Sequence, residues 1–245
     1  MALTVGLLPR VRPLLAGNKG KGGRYVGLAS SSDEFAHPRE SDSRPTRMEA
    51  EMGKLVVTEF ITLDGVVEDP GGGEADRFDR GGWAFQFERG QEGDKFKLDE
   101  TLEAEALLLG RVTYEGFAAA WPSMTDEVGF ADKMNTMPKY VVSSTLEELT
   151  WSNSTRLDGD VSAEVAKLKE QVSGELLVAG SATLVQMLIE HDLVDELRLM
   201  VFPVVLGGGK RLFGEAASSK AFRLLESRPV GDAGVVILRY EPARS

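Results

Sequence analysis

From Lys54 onward the chain alternates short apolar runs with segments of helical periodicity. The clearest unit is LLLGRVTYEGF at 107–117, in which a short apolar run fit for a strand buried on both faces stops at Gly110 and helix-forming residues follow at once. Repeated strand–helix–strand units of this kind predict a largely parallel sheet covered by helices. Ligands of such sheets bind at the carboxyl ends of the strands, where loops lead into helices.

The predicted elements occur in a regular order. The strands are KLVVTEFITLDG, EALLLG, KYVVSS, ELLVAGS and ELRLMVFPVVL. The helices are residues 94–104, VTYEGFAAAW before Pro122, VSAEVAKLKEQV with Asp160 as its N-cap, and ATLVQMLIEH. Two extended runs around Gly-Asp-Ala-Gly predict a final hairpin. The predicted fold class is therefore α/β, with three layers: a mostly parallel central sheet, helices on both faces, and a C-terminal antiparallel hairpin.

The first part of the chain differs in character from the rest. Residues 1–52 are rich in Gly, Ser, Arg and Pro and lack periodicity, so they are predicted to form a disordered basic leader, with one domain at 53–245. The first 50 residues hold 8 Lys+Arg against 5 Asp+Glu, whereas the remainder hold 20 against 34. An organelle-targeting peptide, or a translation start at Met48 or Met52, are the alternatives for this segment.

The composition excludes several classes of function. An acidic body repels phosphate backbones, so neither nucleic acid nor an anionic membrane is a predicted partner. Cysteine is absent and the histidines are His37 and His191, so no metal site is predicted. No apolar run approaches the roughly 20 residues of a membrane helix. We therefore predict a soluble, cytoplasmic protein that acts on a small molecule.

Three predicted strand ends carry groups that suit phosphate. After the strand EALLLG, free backbone N–H groups meet a helix N-terminus, with the fork of Arg111 and the hydroxyl of Thr113 nearby. Gly180-Ser181 forms a second strand-to-helix junction, and Ser143-Ser144 adds hydroxyls at a third strand end. Together they favour a bound nucleotide. The alternative is a tight turn with a helix cap and a solvated arginine.

The order of these segments resembles the dihydrofolate reductase fold family. The motifs are TLDGVVE, TLEAEALLLGRVTYEGF, KYVVSS and LLVAGSATLVQMLIEHDLVDELRLMVFPVVLGGGKRLF, within about 54–241. The likeness is closest to the C-terminal reductase domain of the bacterial bifunctional riboflavin-biosynthesis deaminase-reductase and its stand-alone relatives. This resemblance implies that NADPH is the cofactor.

The resemblance also implies a set of cofactor-binding residues. Those implied near the pyrophosphate and adenosine phosphate are Gly110, Arg111, Val112 and Thr113, and those near the 2′-phosphate are Ser143 and Ser144. Those implied on the pyrophosphate and nicotinamide-ribose side are Gly180, Ser181, Ala182 and Thr183. Relatives commonly have Gly-Gly where this chain has Gly180-Ser181, so the serine hydroxyl either adds a donor or crowds the cofactor.

Three further residues are candidates on the substrate side. An ungapped match places Asp94 where dihydrofolate reductases carry the carboxylate that assists protonation, on the first turn of its helix; the alternative is a solvated acidic helix start. Asp64, in the loop at 64–73 that the resemblance implies is mobile, borders cofactor and substrate or forms a plain turn. Trp83 stacks on a substrate ring or fills the core.

The resemblance implies an NADPH-dependent reductase that transfers hydride to a small heterocyclic or ribosylamino-pyrimidine substrate. The favoured substrate is 5-amino-6-(5-phosphoribosylamino)uracil of riboflavin biosynthesis, with dihydrofolate second. A protein that binds or senses NADPH without catalysis is the alternative from another class. A homodimer is also expected, through LMVFPVVL and the final hairpin.

Overall fold

The computed structural model describes residues 52–73, 78–214 and 219–243. The predicted disordered leader lies outside these residues, apart from Met52. In the part of the chain that is described, no helix is long and apolar enough to cross a membrane.

The domain contains eight strands and five α-helices within the described residues. The strands are β1 (Lys54–Thr62), β2 (Ala104–Gly110), β3 (Lys139–Val142), β4 (Ser154–Leu157), β5 (Glu175–Ala179), β6 (Glu196–Phe202), β7 (Phe222–Val230) and β8 (Val235–Pro242). The helices are α1 (Gly90–Glu103), α2 (Arg111–Ala120), α3 (Phe130–Thr136), α4 (Val161–Gln171) and α5 (Ala182–Glu190), with short 3-10 turns at Trp83–Gln86 and Trp121–Ser123.

All eight strands form one sheet in the order β4-β3-β2-β5-β1-β6-β8-β7. The first six are parallel, and β8 pairs antiparallel with both β6 and β7. The predicted α/β fold with its C-terminal hairpin is confirmed. Because β2, β5 and β1 are neighbours, their carboxyl ends meet at one edge of the sheet.

Local sequence explains most of the element boundaries. Asp160 caps α4 as predicted, because its side chain accepts a hydrogen bond from the N–H of Ala163 at 3.0 Å. The sequence patterns did not yield α3 and β4, which are only seven and four residues long. The strand β6 ends at Phe202, earlier than predicted, because proline follows and cannot donate to a strand ladder.

Apolar layers cover both faces of the sheet. On one face α4 and α5 pack on the sheet through Val165, Leu168, Val185 and Leu188. On the other face α2 and α3 contribute Tyr114, Phe130 and Met134, and α1 contributes the partly buried Leu98. A third cluster, around Phe60, Trp83 and Phe202, joins β1 and β6 to the final hairpin. Burial on both faces explains why the central strands are almost entirely apolar.

A charged network stabilises the amino ends of β5 and β6. Arg198 donates to both carboxylate oxygens of Glu175, at 2.5 and 2.9 Å, and to Glu196 at 2.8 Å. Arg239 on β8 also donates to Glu196, at 2.7 Å. Burial would raise the pKa of Glu196, but hydrogen bonds from Arg239 and Arg198 outweigh it and lower that pKa. This network lies at the opposite end of the strands from the predicted cofactor site.

Candidate active site

The side chain of Ser181 joins the end of β2 to the end of β5. Ser181 Oγ accepts a hydrogen bond from the N–H of Gly110 at 2.8 Å and donates one to Thr113 Oγ1 at 2.9 Å. The two strand-to-helix junctions that were predicted separately therefore form one unit. The N-termini of α2 and α5 lie side by side within it, so their helix dipoles act on the same region.

The turn at Gly180 requires glycine. Gly180 has φ of 64°, and a Cβ there would lie 2.9 Å from Thr113 Oγ1. Ser181 also has a left-handed backbone, with φ of 69°, and its hydroxyl turns toward Gly110 and Thr113. The serine of the Gly-Ser pair thus holds the turn against α2, which is neither of the two roles predicted for it.

Arg111 is the first residue of α2 and lies at the same edge of the sheet. Its guanidinium is partly exposed and contacts both carboxylate oxygens of Glu115 at 3.1 Å. The N–H groups of Val112 and Thr113 belong to the first turn of α2, where an α-helix offers donors without an intrahelical partner. A permanent charge and free donors at one helix start suit a phosphate group.

Ser143 and Ser144 follow β3, whose last residue, Val142, is opposite Gly110 of β2. They therefore lie at the same edge of the sheet as Arg111. Ser143 Oγ accepts hydrogen bonds from the N–H groups of Thr145 and Leu146, at 3.2 and 2.9 Å, and so shapes the local turn. Ser144 is exposed. The exposed Thr183 and the buried Ala182 begin α5 on the other side of Arg111.

Asp64 has a structural role in the loop after β1. It accepts hydrogen bonds from Thr62 Oγ1 at 2.7 Å and from the N–H groups of Leu206 and Gly207 at 3.1 and 2.8 Å. The bond from Thr62, with those backbone donors, lowers the pKa of Asp64 to about 2 despite partial desolvation. The carboxylate is therefore ionised at neutral pH. This geometry favours the turn interpretation of Asp64 over the catalytic one.

The first half of the predicted mobile loop is bound to a neighbouring segment. The N–H of Leu212 donates to Gly65 O, and the N–H of Val67 donates to Lys210 O, both at 2.9 Å. The Nε of Arg211 donates to Asp64 O at 2.9 Å. Motion of residues 64–67 would break these bonds, and the mobility of the loop stays a prediction.

Trp83 belongs to the core. Its side chain is 1% exposed, and its ring makes an edge contact with Phe202 at a centroid distance of 5.4 Å. The indole N–H donates to Glu68 O at 2.9 Å. This burial favours the core-filling alternative for Trp83.

Asp94 is the fifth residue of α1, because the helix begins at Gly90 and not near Asp94 as predicted. Its side chain is 26% exposed and pairs with Arg89 Nε at 2.6 Å. Arg89 is itself buried and lies over the ring of Phe60, 5.2 Å from the centroid. Asp94 therefore approaches β1 through an arginine, and its role as a proton donor stays a prediction.

Sequence reasoning missed a buried polar cluster between β1 and α1. Thr58 Oγ1 donates to both carboxylate oxygens of Glu100, at 2.8 and 3.0 Å, and accepts from Lys97 Nζ at 2.8 Å. Lys97 also forms an ion pair with Glu100 and lies over the ring of Phe60. The signal was present in the sequence, since Thr58-Glu59 interrupts an otherwise apolar strand.

Glu59 follows Thr58 in β1, but its side chain lies on the opposite face of the strand, with those of Val57 and Ile61. Its side chain is buried, and within the described residues its Oε1 has no hydrogen-bond partner. Burial raises the pKa of Glu59 to about 8, although Lys97 and the backbone N–H of Gly180 oppose the shift. The residue follows Thr58, which is paired with Ala179, the last residue of β5. Glu59 therefore lies beside the Gly180 turn.

Comparison with known proteins decides the family. The profile of the RibD C-terminal domain matches residues 53–236. The chain belongs to the family of RibD C-terminal domains. This membership confirms the resemblance and makes the chain a member of a reductase-related family. A Bacillus subtilis (strain 168) protein named Uncharacterized protein YwjB is 30% identical over 182 residues, covering 74% of this chain and 94% of its own.

Solved structures agree on the fold. A putative riboflavin biosynthesis protein from Shewanella sp. PV-4 superposes with a TM-score of 0.62 at 23% identity, covering 78% of this chain and 99% of its own. The dihydrofolate reductase of Enterococcus faecalis, solved with NADP(H), gives 0.50 at 16% identity, covering 79% and 99%. At these identities the likeness concerns the fold, which is that of dihydrofolate reductase.

Proposed function

We propose that this protein is an NADPH-dependent reductase of a ribosylamino-pyrimidine, such as 5-amino-6-(5-phosphoribosylamino)uracil. The observation that carries the proposal is the Ser181 bridge, which places the N-termini of α2 and α5 and the Arg111 guanidinium at one edge of the sheet. Family membership supports the reductase class, and the riboflavin-biosynthesis neighbour supports the substrate class.

The donor set fits a dinucleotide phosphate. Arg111 and the first N–H groups of α2 would hold the pyrophosphate, and Gly180 leaves space where a Cβ would meet Thr113. The hydroxyls of Ser143 and Ser144 would lie near the 2′-phosphate. Bound NADPH would supply the hydride, and the protein would orient the two reactants and exclude water.

Removing the Arg111 charge tests this site. We expect Arg111→Ala to raise the Kd for NADPH about 10- to 100-fold, since a charge-assisted hydrogen bond contributes roughly 1.5–3 kcal/mol. Fluorescence titration with NADPH and with NADH measures the change. The matched control is Arg223→Ala, which removes an exposed, ion-paired arginine from β7 and should leave the Kd unchanged.

Substrate tests then separate the candidate functions. Absorbance loss of NADPH with 5-amino-6-(5-phosphoribosylamino)uracil supports the pyrimidine reductase, and turnover with dihydrofolate alone supports dihydrofolate reduction instead. Binding of NADPH without turnover of either compound favours the non-catalytic sensor. If neither NADPH nor NADH binds to the wild type, the proposed function is wrong.

The predicted homodimer contact combines LMVFPVVL with the final hairpin, and only the hairpin contributes an edge strand of the sheet. The strand β6 within LMVFPVVL is largely buried in the sheet, with Met200 and Phe202 in the core. The edge strand β7 instead exposes Leu224 and Leu225. Because an edge strand with exposed apolar side chains is a template for pairing, we propose that two copies associate through β7.

Disrupting this edge should produce monomers. We expect Leu224→Lys to halve the mass that light scattering measures, because a charge would be buried at the two-fold contact. Val128→Lys, an equivalent change at an exposed apolar residue before α3, should leave the mass unchanged. A wild-type protein that is monomeric at micromolar concentration contradicts the dimer.

A further inference from the structure

We propose that Glu59 is the catalytic acid of this domain, storing the proton that the reduction consumes and delivering it to the substrate. The inference rests on the proposed reductase function and deepens it. It assigns to β1 a role that the sequence had predicted for Asp94.

Glu59 lies where strand β1 extends beyond its neighbour β5. At Glu59 the strand β1 passes the end of β5, whose last pair is Thr58 with Ala179, while β1 continues to Thr62 alongside β6. The chain after β5 turns away at Gly180, where the backbone is left-handed. Glu59 is therefore a carboxyl group at the carboxyl ends of the central strands, which is where this class of sheet binds its ligands.

One carboxyl oxygen of Glu59 lacks a hydrogen-bond partner within the described residues. Buried carboxyl oxygens are nearly always paired, because an unpaired buried polar atom costs roughly 1–3 kcal/mol. Within the described residues, Glu59 Oε1 has no partner, although the side chain is only 3% exposed. The backbone N–H of Gly180, part of the proposed cofactor turn, hydrogen-bonds to the same carboxyl group. A carboxyl oxygen without a hydrogen-bond partner beside this turn suits a residue that completes its hydrogen bonds only when a ligand is bound.

Two charged residues of α1, Lys97 and Glu100, act on the carboxyl group of Glu59. The positive charge of Lys97 on α1 opposes the effect of burial on the pKa of Glu59, whereas Glu100 from the same helix disfavours a second negative charge. Lys97 donates a hydrogen bond to Thr58 and forms an ion pair with Glu100, to which Thr58 also donates. Lys97 is therefore fixed in place. At neutral pH the result is a carboxylic acid that holds a proton.

Asp94 is the other candidate for the catalytic acid. Asp94 is in an ion pair with Arg89 at 2.6 Å and is partly exposed. One carboxylate oxygen of Asp94 is therefore already engaged within the protein. Glu59 lacks such a partner, so the structure favours it as the donor.

The proposed step balances in atoms and electrons. The substrate carbon of a C=O or C=N bond accepts the hydride from the reduced nicotinamide, and the π electron pair moves to the heteroatom. The heteroatom takes the proton of Glu59, which becomes a carboxylate. Solvent returns a proton to Glu59 before the next turnover. One hydride and one proton are consumed for each substrate that is reduced.

Infrared spectroscopy tests the stored proton without any substrate. We expect the full-length protein at pH 7 to show the carbonyl band of a protonated carboxylic acid, which disappears in Glu59→Gln and as the pH rises through about 8. The matched control is Glu103→Gln on the exposed side of α1, which should retain the band. If the wild type lacks the band at pH 7, or if Glu59→Gln retains it, the proposal is wrong.

Kinetics with NADPH and 5-amino-6-(5-phosphoribosylamino)uracil test delivery. We expect Glu59→Gln to lower kcat about 10²- to 10⁴-fold, the usual contribution of a general acid, with the Kd for NADPH within about threefold. The wild-type kcat should fall above about pH 8, as Glu59 loses its proton. In Lys97→Met that alkaline limb should move to higher pH, which a purely structural role of Lys97 would not cause.

The outcomes separate this proposal from the proposed function. An active wild type whose kcat is unchanged in Glu59→Gln refutes the role of Glu59 alone. A wild type that shows the infrared band but does not oxidise NADPH refutes both the reductase function and proton delivery. If Glu59→Gln fails to fold, Glu59→Asp replaces it; a shorter acid should keep the infrared band but lower kcat at least about tenfold.

Discussion

Gly180→Ala is expected to raise the Kd for NADPH about 10- to 100-fold. A side chain at φ of 64° costs roughly 1–2 kcal/mol, and the added Cβ would lie 2.9 Å from Thr113 Oγ1. Relief of that contact requires Thr113 to move, and the Ser181 bridge to Gly110 would move with it. Fluorescence titration gives the Kd, and thermal unfolding of the same samples gives the change in stability.

Gly129→Ala is a control that separates the effect of the steric contact at Gly180 from the effect of backbone strain. Gly129 precedes α3 with φ of 82°, and a Cβ there would meet nothing within 4 Å. Gly129→Ala therefore introduces comparable backbone strain without a steric contact, and should lower stability while leaving the Kd for NADPH unchanged. If both variants bind NADPH as the wild type does, the Gly180 turn does not form part of the cofactor site.

Arg198→Met is expected to lower the free energy of unfolding by about 3–5 kcal/mol. Its side chain is 7% exposed and binds Glu175 and Glu196, so its removal leaves Glu175 without its bidentate partner and Glu196 with one partner fewer. Arg239 can compensate only at Glu196, where it already donates. Denaturant unfolding measures the loss. The residue lies at the amino ends of the strands, so the Kd for NADPH should remain within about twofold.

The matched control is Arg223→Met on β7. Arg223 also pairs with a glutamate, Glu241, but its side chain is 65% exposed. Exposed ion pairs contribute at most about 1 kcal/mol, because water solvates both partners nearly as well. Equal losses from Arg198→Met and Arg223→Met would show that burial does not determine the contribution of the Arg198 network.

Much of the fold could be predicted because its signals are local. The apolar runs of β1, β2 and β5 are buried on both faces, so each is readable by itself. The Asp160 cap and the final hairpin likewise depend on a few neighbouring residues. The short α3 and β4 lack this property, since seven and four residues carry too little periodicity.

The candidate site could be predicted only in part. The residues at the ends of β2, β3 and β5 were found because a strand-to-helix junction offers donors whatever surrounds it. Trp83 and Asp64 had two interpretations each, and burial and hydrogen bonding favour one for each. Glu59 was missed, because a glutamate in a strand shows no local sign of what it will contact.

The sequence by itself determined most strands and helices, the family and the polar strand ends. Tertiary structure decided which strand ends meet, through the order β2-β5-β1, and this order made Ser181 a bridge to Gly110. It also decided that Glu59 is buried beside Gly180. The physical reason is that hydrogen bonds and desolvation depend on groups far apart in the chain, whereas propensity and periodicity act between near neighbours.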